Sequence, residues 1–264
     1  MNLGIKGKIA VVSGSTAGIG FGIAQALAAE GARVVVNGRT EERVQSALQK
    51  IRAGLPQADL VGIAADLGTL DGVRQFLQRI PEADILVNNL GIFEIKPFLE
   101  IPDADWQRFF EVNVLSGVRL TRHYLPRMLK KDWGRVLFIS SESGQQIPVE
   151  MVHYGMTKTA QIAVARGAAE TTAGTGVTIN SVLVGPTASE GADAFVDSYA
   201  KQRGITKAQV EKEFFETARP SSLLKRFETI EEIASVVTFL ASTQSAAING
   251  AAIRADGGVI RSIL

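Results

Sequence analysis

Short apolar runs alternate with longer amphipathic stretches along most of this chain. Lys8–Ser13 (KIAVVS), Arg33–Asn37 (RVVVN), Leu60–Ala64, Asp84–Asn88 (DILVN), Arg135–Ser140 (RVLFIS) and Val177–Val184 are rich in β-branched residues. Runs of that length and composition predict buried strands. Phe21–Glu30 is alanine-rich and stopped by Gly31, which predicts a helix. Thr40 can cap the next helix, with Glu41 and Glu42 in its positive first turn and an end near Gly54 and Pro56. A helix from about Thr69 to Arg79 stops at Pro81, and Asp103–Lys131 reads as two helical pieces meeting near Asn113. The helix through Tyr154 and Lys158 runs to about Thr172, and Thr229 with Glu232 spells a capping box for a helix reaching about Leu240. Ala251–Arg254 is a last short strand before Asp256-Gly257-Gly258.

This rhythm predicts an α/β fold: one Rossmann-type, doubly wound parallel sheet of about seven strands with helices on both faces. Pro186–Arg226 breaks the rhythm; it is polar, mixed and expected to hold short helices over a variable substrate-loop segment at about 186–226. No repeat or linker divides the chain, so residues 1–264 are read as a single domain.

Composition narrows the classes. The net charge of +1 and the scattered Lys and Arg exclude a strong polyanion footprint, so no nucleic-acid partner is expected. With no cysteine there is no disulfide or thiolate chemistry, which fits a reducing compartment, and a cytoplasmic setting is expected. Met1–Lys8 is too short and glycine-rich for a signal peptide, and no apolar run reaches the ~18 residues of a membrane helix. Two histidines, His123 and His153, make a histidine-rich metal site unexpected.

Candidate chemistry sits at three places. Gly14, Gly18 and Gly20 form G-x-x-x-G-x-G between a strand and a helix, where close phosphate approach and the helix N-terminus favour a nucleotide. The second strand ends Asn37-Gly38-Arg39, without the acid that would repel a ribose phosphate and with a planar donor suited to one. That favours NADP(H), with NAD(H) possible. Tyr154 precedes Lys158 by four residues, which stacks both on one helix face and lets the ammonium lower the phenol pKa. His153 beside them reads as a pocket-wall or surface residue.

Together these features resemble the compact, single-domain branch of the short-chain dehydrogenase/reductase family over nearly the whole chain. The glycine turn matches T-G-x-x-x-G-x-G with Ser13 for the leading threonine, and Asn88-Asn89-Leu90-Gly91 matches N-N-A-G with Leu90 for alanine. Tyr154 and Lys158 supply Y-x-x-x-K, Ser141 stands at the family's serine and Asn113 at its asparagine. The resemblance implies hydride transfer between NADP(H) and a carbonyl or alcohol, for instance by a ketone or 3-oxoacyl reductase. It implies catalytic roles for four residues. Ser141 would hold the substrate oxygen and Tyr154 would donate the proton. Lys158 would bind the nicotinamide ribose, and Asn113 would hold a water that reaches Lys158. It places cofactor contacts at Gly14, Ser15, Thr16, Gly18, Ile19 and Gly20, at Arg39, Asp66 and Leu67, at Asn89 and Gly91, at Tyr154 and Lys158, and at Thr187 and Ser189. It requires no metal. Val184 stands where the family commonly has proline, so a looser backbone is expected in the loop it begins. Relatives of this kind assemble as homotetramers or homodimers, and apolar Val259–Leu264 suits such an interface. The competing expectation is a silent nucleotide-sensing protein on the same fold.

The pocket is expected from Ile92–Ile95, Glu142–Met151 and Pro186–Arg226, mixing Phe93, Ile147, Met151 and Phe195 with Glu94, Glu142 and Gln146.

Overall fold

A computed structural model describes residues 2–263, except the side chains of residues 192–195, 198, 199 and 202. Seven strands form one sheet: β1 (Ile9–Val12), β2 (Arg33–Gly38), β3 (Leu60–Ala64), β4 (Ile85–Asn88), β5 (Gly134–Ser141), β6 (Val177–Val184) and β7 (Ala252–Ala255). Their order is β3-β2-β1-β4-β5-β6-β7, and every pair is parallel. The chain winds outward from β1 to β3, then returns to start β4 on the other side of β1. The strand order therefore reverses between β1 and β4, which opens a crevice at their carboxyl ends.

Alternation along each strand builds two cores. Ala10 and Val12, Val34 and Val36, Ile85 and Val87, and Leu137 and Ile139 face one side, toward α1 (Gly18–Ala29), α2 (Glu41–Gly54) and α9 (Ile230–Leu240). Val11, Val35, Leu86, Val136 and Phe138 face the other, toward α3 (Leu70–Arg79), α5 (Ser116–Lys130) and α6 (Val152–Glu170). Successive side chains on a strand point to opposite faces, so sequences buried on both faces read as continuous apolar runs. The expected caps form: the Arg43 N–H donates to Thr40, and Thr229 and Glu232 bond reciprocally.

The expected two-piece helix is α4 (Asp103–Phe110) and α5, joined by a π-helical turn over Glu111–Leu115 that contains Asn113. A wide turn of this kind often marks a functional position. The first helix starts earlier than its alanines suggested, at Gly18, because the glycine turn itself winds into it. The irregular segment holds two full helices, α7 (Glu190–Arg203) and α8 (Lys207–Thr217). Val259 and Ile260 are buried within the chain, Ile263 is exposed, and Leu264 lies outside the described residues. No helix among the described residues is long and apolar enough to cross a membrane.

Candidate active site

Two cavities open at the carboxyl ends of the central strands. The first, of about 510 Å³, runs past Gly14, Thr16, Arg39, Asp66, Leu67 and Gly91. Leu90 lines it too and presses against Gly14. The second, of about 360 Å³, is walled by Phe93, Ser141, Met151, Tyr154, Thr187 and Phe214, among others. The sequence-expected residues thus divide between a cleft beside the glycine turn and a pocket above α6.

The glycine turn is braced from beneath. Gly18 has φ +55°, a left-handed conformation that favours glycine. A Cβ on Gly20 would stand 2.4 Å from Asn89 Nδ2 and 2.5 Å from the Gly14 carbonyl, so no larger residue fits. The Asn89 amide donates to the Ser13 and Gly14 carbonyls, each at 3.0 Å. The Ser13 hydroxyl accepts the N–H groups of Asn89 and Leu90, also at 3.0 Å. Ser13, where the resembled motif has threonine, thus braces the turn through its hydroxyl. The Ser15 and Asn89 side chains are engaged within the chain. The Ser15 hydroxyl bonds Val12 and Asn37, its N–H bonds the Asn37 carbonyl, and it is fully buried. Both side chains hold the turn in place, and neither lines the cleft.

At the end of β2, Arg39 is exposed at the rim of the cleft, joined by Arg43 from the first turn of α2. Sequence reasoning missed Arg43. Its signal was its place four residues after Arg39, one helical turn on. Asp66 accepts the Gly68 N–H through Oδ1 while its carboxylate lines the cleft.

In the pocket, the two serines that end β5 part company. Ser140 donates inward to the Lys158 carbonyl at 2.8 Å, while Ser141 hydrogen-bonds Tyr154 and caps the following turn through the Ser143 N–H. Lys158 is buried; its Nζ donates to the Ile139 carbonyl at 2.8 Å and lies 5.5 Å from the Tyr154 ring centroid. Burial lowers the Lys158 pKa to about 8. The phenol runs opposite to expectation. Burial raises Tyr154 to about 12, outweighing the Ser141 hydrogen bond that lowers it. The chain's own residues thus keep Tyr154 protonated, because desolvation of the phenolate, with the nearby Glu142 charge, exceeds what Ser141 and Arg219 offer it.

Asn113 stands behind this pair. Its Nδ2 donates to the Ile92 carbonyl and to Thr157 Oγ1, both at 3.0 Å, and its Oδ1 accepts the Ile92 N–H at 2.8 Å. Its main-chain carbonyl accepts Gln161 Nε2. His153 is neither pocket wall nor surface. It is fully buried, packed against Phe109 at 4.1 Å and Trp106 at 6.1 Å between ring centroids, because the start of α6 lies on α4. Burial lowers its pKa, so it is neutral in the core.

The loop after β6 is tied down, contrary to the looseness expected from Val184. The Gly185 N–H meets the Ala255 carbonyl at 2.9 Å and Glu228 Oε2 at 3.2 Å. The Glu228 N–H donates to Pro186, and the Ala188 N–H donates to Glu228. Glu228 was not foreseen, since nothing local to it in sequence reveals that its strand-like backbone lies beside Thr187. Ser189 approaches Gly18, 3.5 Å from a Cβ built there. Of the expected pocket residues, Phe93, Met151 and Glu142 line the cavity, Ile147 is exposed outside it, and the Phe195 side chain lies outside the described residues.

Known proteins resemble this chain in sequence and in fold. A sequence model described as short chain dehydrogenase matches residues 8–200. An uncharacterized oxidoreductase, YvaG of Bacillus subtilis, is 49% identical, with all of both chains covered. A D-beta-hydroxybutyrate dehydrogenase of Cupriavidus necator is 34% identical over 96% of this chain and 98% of its own. The crystal structure of L-sorbose reductase from Gluconobacter frateurii, complexed with NADPH and L-sorbose, superposes with a TM-score of 0.94 at 27% identity, covering 100% of each chain. By sequence and by fold, the chain belongs to the short-chain dehydrogenase/reductase family of oxidoreductases.

Proposed function

We propose that this chain reduces a carbonyl compound, or oxidises the corresponding alcohol, with NADP(H). The observation that carries the reading is the Ser141–Tyr154 pair in the wall of the second cavity, with Lys158 Nζ 5.5 Å from the centre of the phenol ring. The cleft fits a dinucleotide. A Cβ at Gly91 would lie 3.5 Å from Lys158 Nζ and 3.6 Å from Asn113 Oδ1, so glycine keeps the floor beside the lysine open. Gly14, Thr16 and Gly18 would border the phosphates, Asp66 and Leu67 the adenine, and Thr187 and Ser189 the nicotinamide. Arg39 and Arg43, with no acid beside them on β2, support a ribose phosphate and hence NADP(H). The NADPH complex of the sorbose reductase supports the same choice.

When bound, the nicotinamide supplies or accepts the hydride. Ser141 holds the substrate oxygen through its hydroxyl. Tyr154, kept protonated by burial, gives its proton to that oxygen as negative charge develops there. Lys158 stabilises the phenolate left behind and binds the nicotinamide ribose. Asn113 holds a water through the second lone pair of its carbonyl and so connects Lys158 to solvent. In oxidation the same groups work in reverse. Positioned acid catalysis of this kind contributes about a hundredfold to ten-thousandfold.

The test is nicotinamide absorbance with NADPH and NADH against a panel of ketones, oxo esters, ketoses and alcohols. NADPH-dependent turnover is expected. Tight NADPH binding without turnover on any member would support the sensing protein instead.

A further inference from the structure

Next to Ser141 the pocket wall carries a charged pair that the proposed chemistry does not use. Glu142 is 3% exposed, and its Oε1 accepts the Arg219 Nε–H at 2.6 Å. The Arg219 side chain, 11% exposed, closes the pocket from the segment after α8. Its Nη1 donates to the Ala218 carbonyl, and among the described residues no acceptor meets its Nη2. Among the described residues, Glu142 Oε2 has only the Ser141 hydroxyl, at 3.4 Å. That is long for an O–H···O bond, and a buried carboxylate oxygen lacking a good donor is costly. The rest of the wall adds acid: Glu150 lies 3.7 Å from Arg219, and Glu213 also lines the cavity. Glu213 is paired with Arg203 at 2.7 Å, so two carboxylates, Glu142 and Glu150, share the Arg219 guanidinium.

We infer that Glu142 and Arg219 read hydroxyl groups, and that the substrate is a neutral hydroxy ketone or polyol with a hydroxyl on the carbon beside the reacting one. This rests on the oxidoreductase reading above. With the reacting oxygen on Ser141 and Tyr154, a neighbouring hydroxyl donates to Glu142 Oε2, and a further oxygen accepts from Arg219 Nη2. A carboxylate in the same position meets Glu142 instead and is repelled. The cavity, of about 360 Å³, suits a small ligand, and Phe93, Met151 and Phe214 supply its apolar floor.

The test compares NADPH-dependent kcat/KM for three four-carbon ketones of one shape: butanone, its 1-hydroxy derivative and 2-oxobutanoate. The hydroxy ketone is expected to exceed butanone by at least about tenfold, and the oxo acid to fall below butanone by a similar factor, because a site built to bond a hydroxyl rejects analogues without it. In Glu142→Gln both ratios are expected to shrink toward unity. The double variant Glu142→Gln/Arg219→Gln, which leaves no unpaired buried charge, reads the same ratios if the single one does not fold. Equal kcat/KM for butanone and its hydroxy derivative, or preference for the oxo acid, overturns the inference and leaves the oxidoreductase reading standing. Absence of nicotinamide oxidation with all three and with the wider panel overturns both.

Discussion

The Gln161 side chain on α6 donates to the main-chain carbonyl of Asn113 at 2.6 Å, joining the helix that carries Tyr154 and Lys158 to the π-helical turn behind them. Gln161 is 1% exposed, so the bond is shielded from water. Replacing Gln161 by leucine leaves a buried carbonyl without that donor. A loss of stability of about 1–3 kcal/mol is expected in urea unfolding. Turnover is expected to fall with it, since Asn113 also fixes Ile92, which lines the cleft beside the glycine turn.

Tyr154→Phe removes the proton donor while keeping the ring packed edge-on against Phe93. Turnover is expected to drop by at least about a hundredfold, with NADPH affinity within a few-fold of wild type. Single-turnover absorbance and a fluorescence titration separate the two. A variant with wild-type turnover would remove Tyr154 from the role of acid.

Arg39→Ala is expected to weaken NADPH binding by at least about tenfold and NADH binding far less, because a phosphate loses a charged, planar donor. Calorimetry with both cofactors gives the ratio. Equal losses would argue that Arg39 only shapes the turn.

Glu228 makes stability depend on pH. Burial raises its pKa from 4.5 to about 7, opposed by the Gly185 N–H and reinforced by Asp256 and Glu232, with Arg226 acting the other way. The folded chain therefore binds more protons at this site than the unfolded chain between about pH 4.5 and pH 7, and stability from Glu228 falls as pH rises through that window. Glu228→Gln stays neutral and can still accept from Gly185. Its stability relative to wild type is expected to be unchanged below pH 4.5 and higher above pH 7, by on the order of 3 kcal/mol. Thermal melts at pH 4 and pH 8 give the sign.

The cofactor cleft was legible in sequence because its parts are local: a strand, a glycine turn, a helix, and the residue just past β2. Ser141 and Tyr154 were legible by resemblance, while Glu142 was seen only as one polar member of the expected pocket. Arg219 and Glu228 were hidden, since they act on residues 77 and 43 positions away. The bracing bonds of the Ser15 and Asn89 side chains were also hidden, because glycine-turn residues that face the cleft and those that face the sheet look alike in one dimension.

Local and periodic interactions are written in the order of residues, and they alone determined the strands, the helices and their caps, and the Tyr154–Lys158 spacing. The tertiary structure decided what each group experiences. Desolvation in the packed pocket, summed over neighbours from distant segments, keeps Tyr154 protonated, lowers Lys158 and makes His153 a core residue. The same packing carries α8 and Arg219 over Ser141, so the face presented to a substrate exists only once distant segments close on one another.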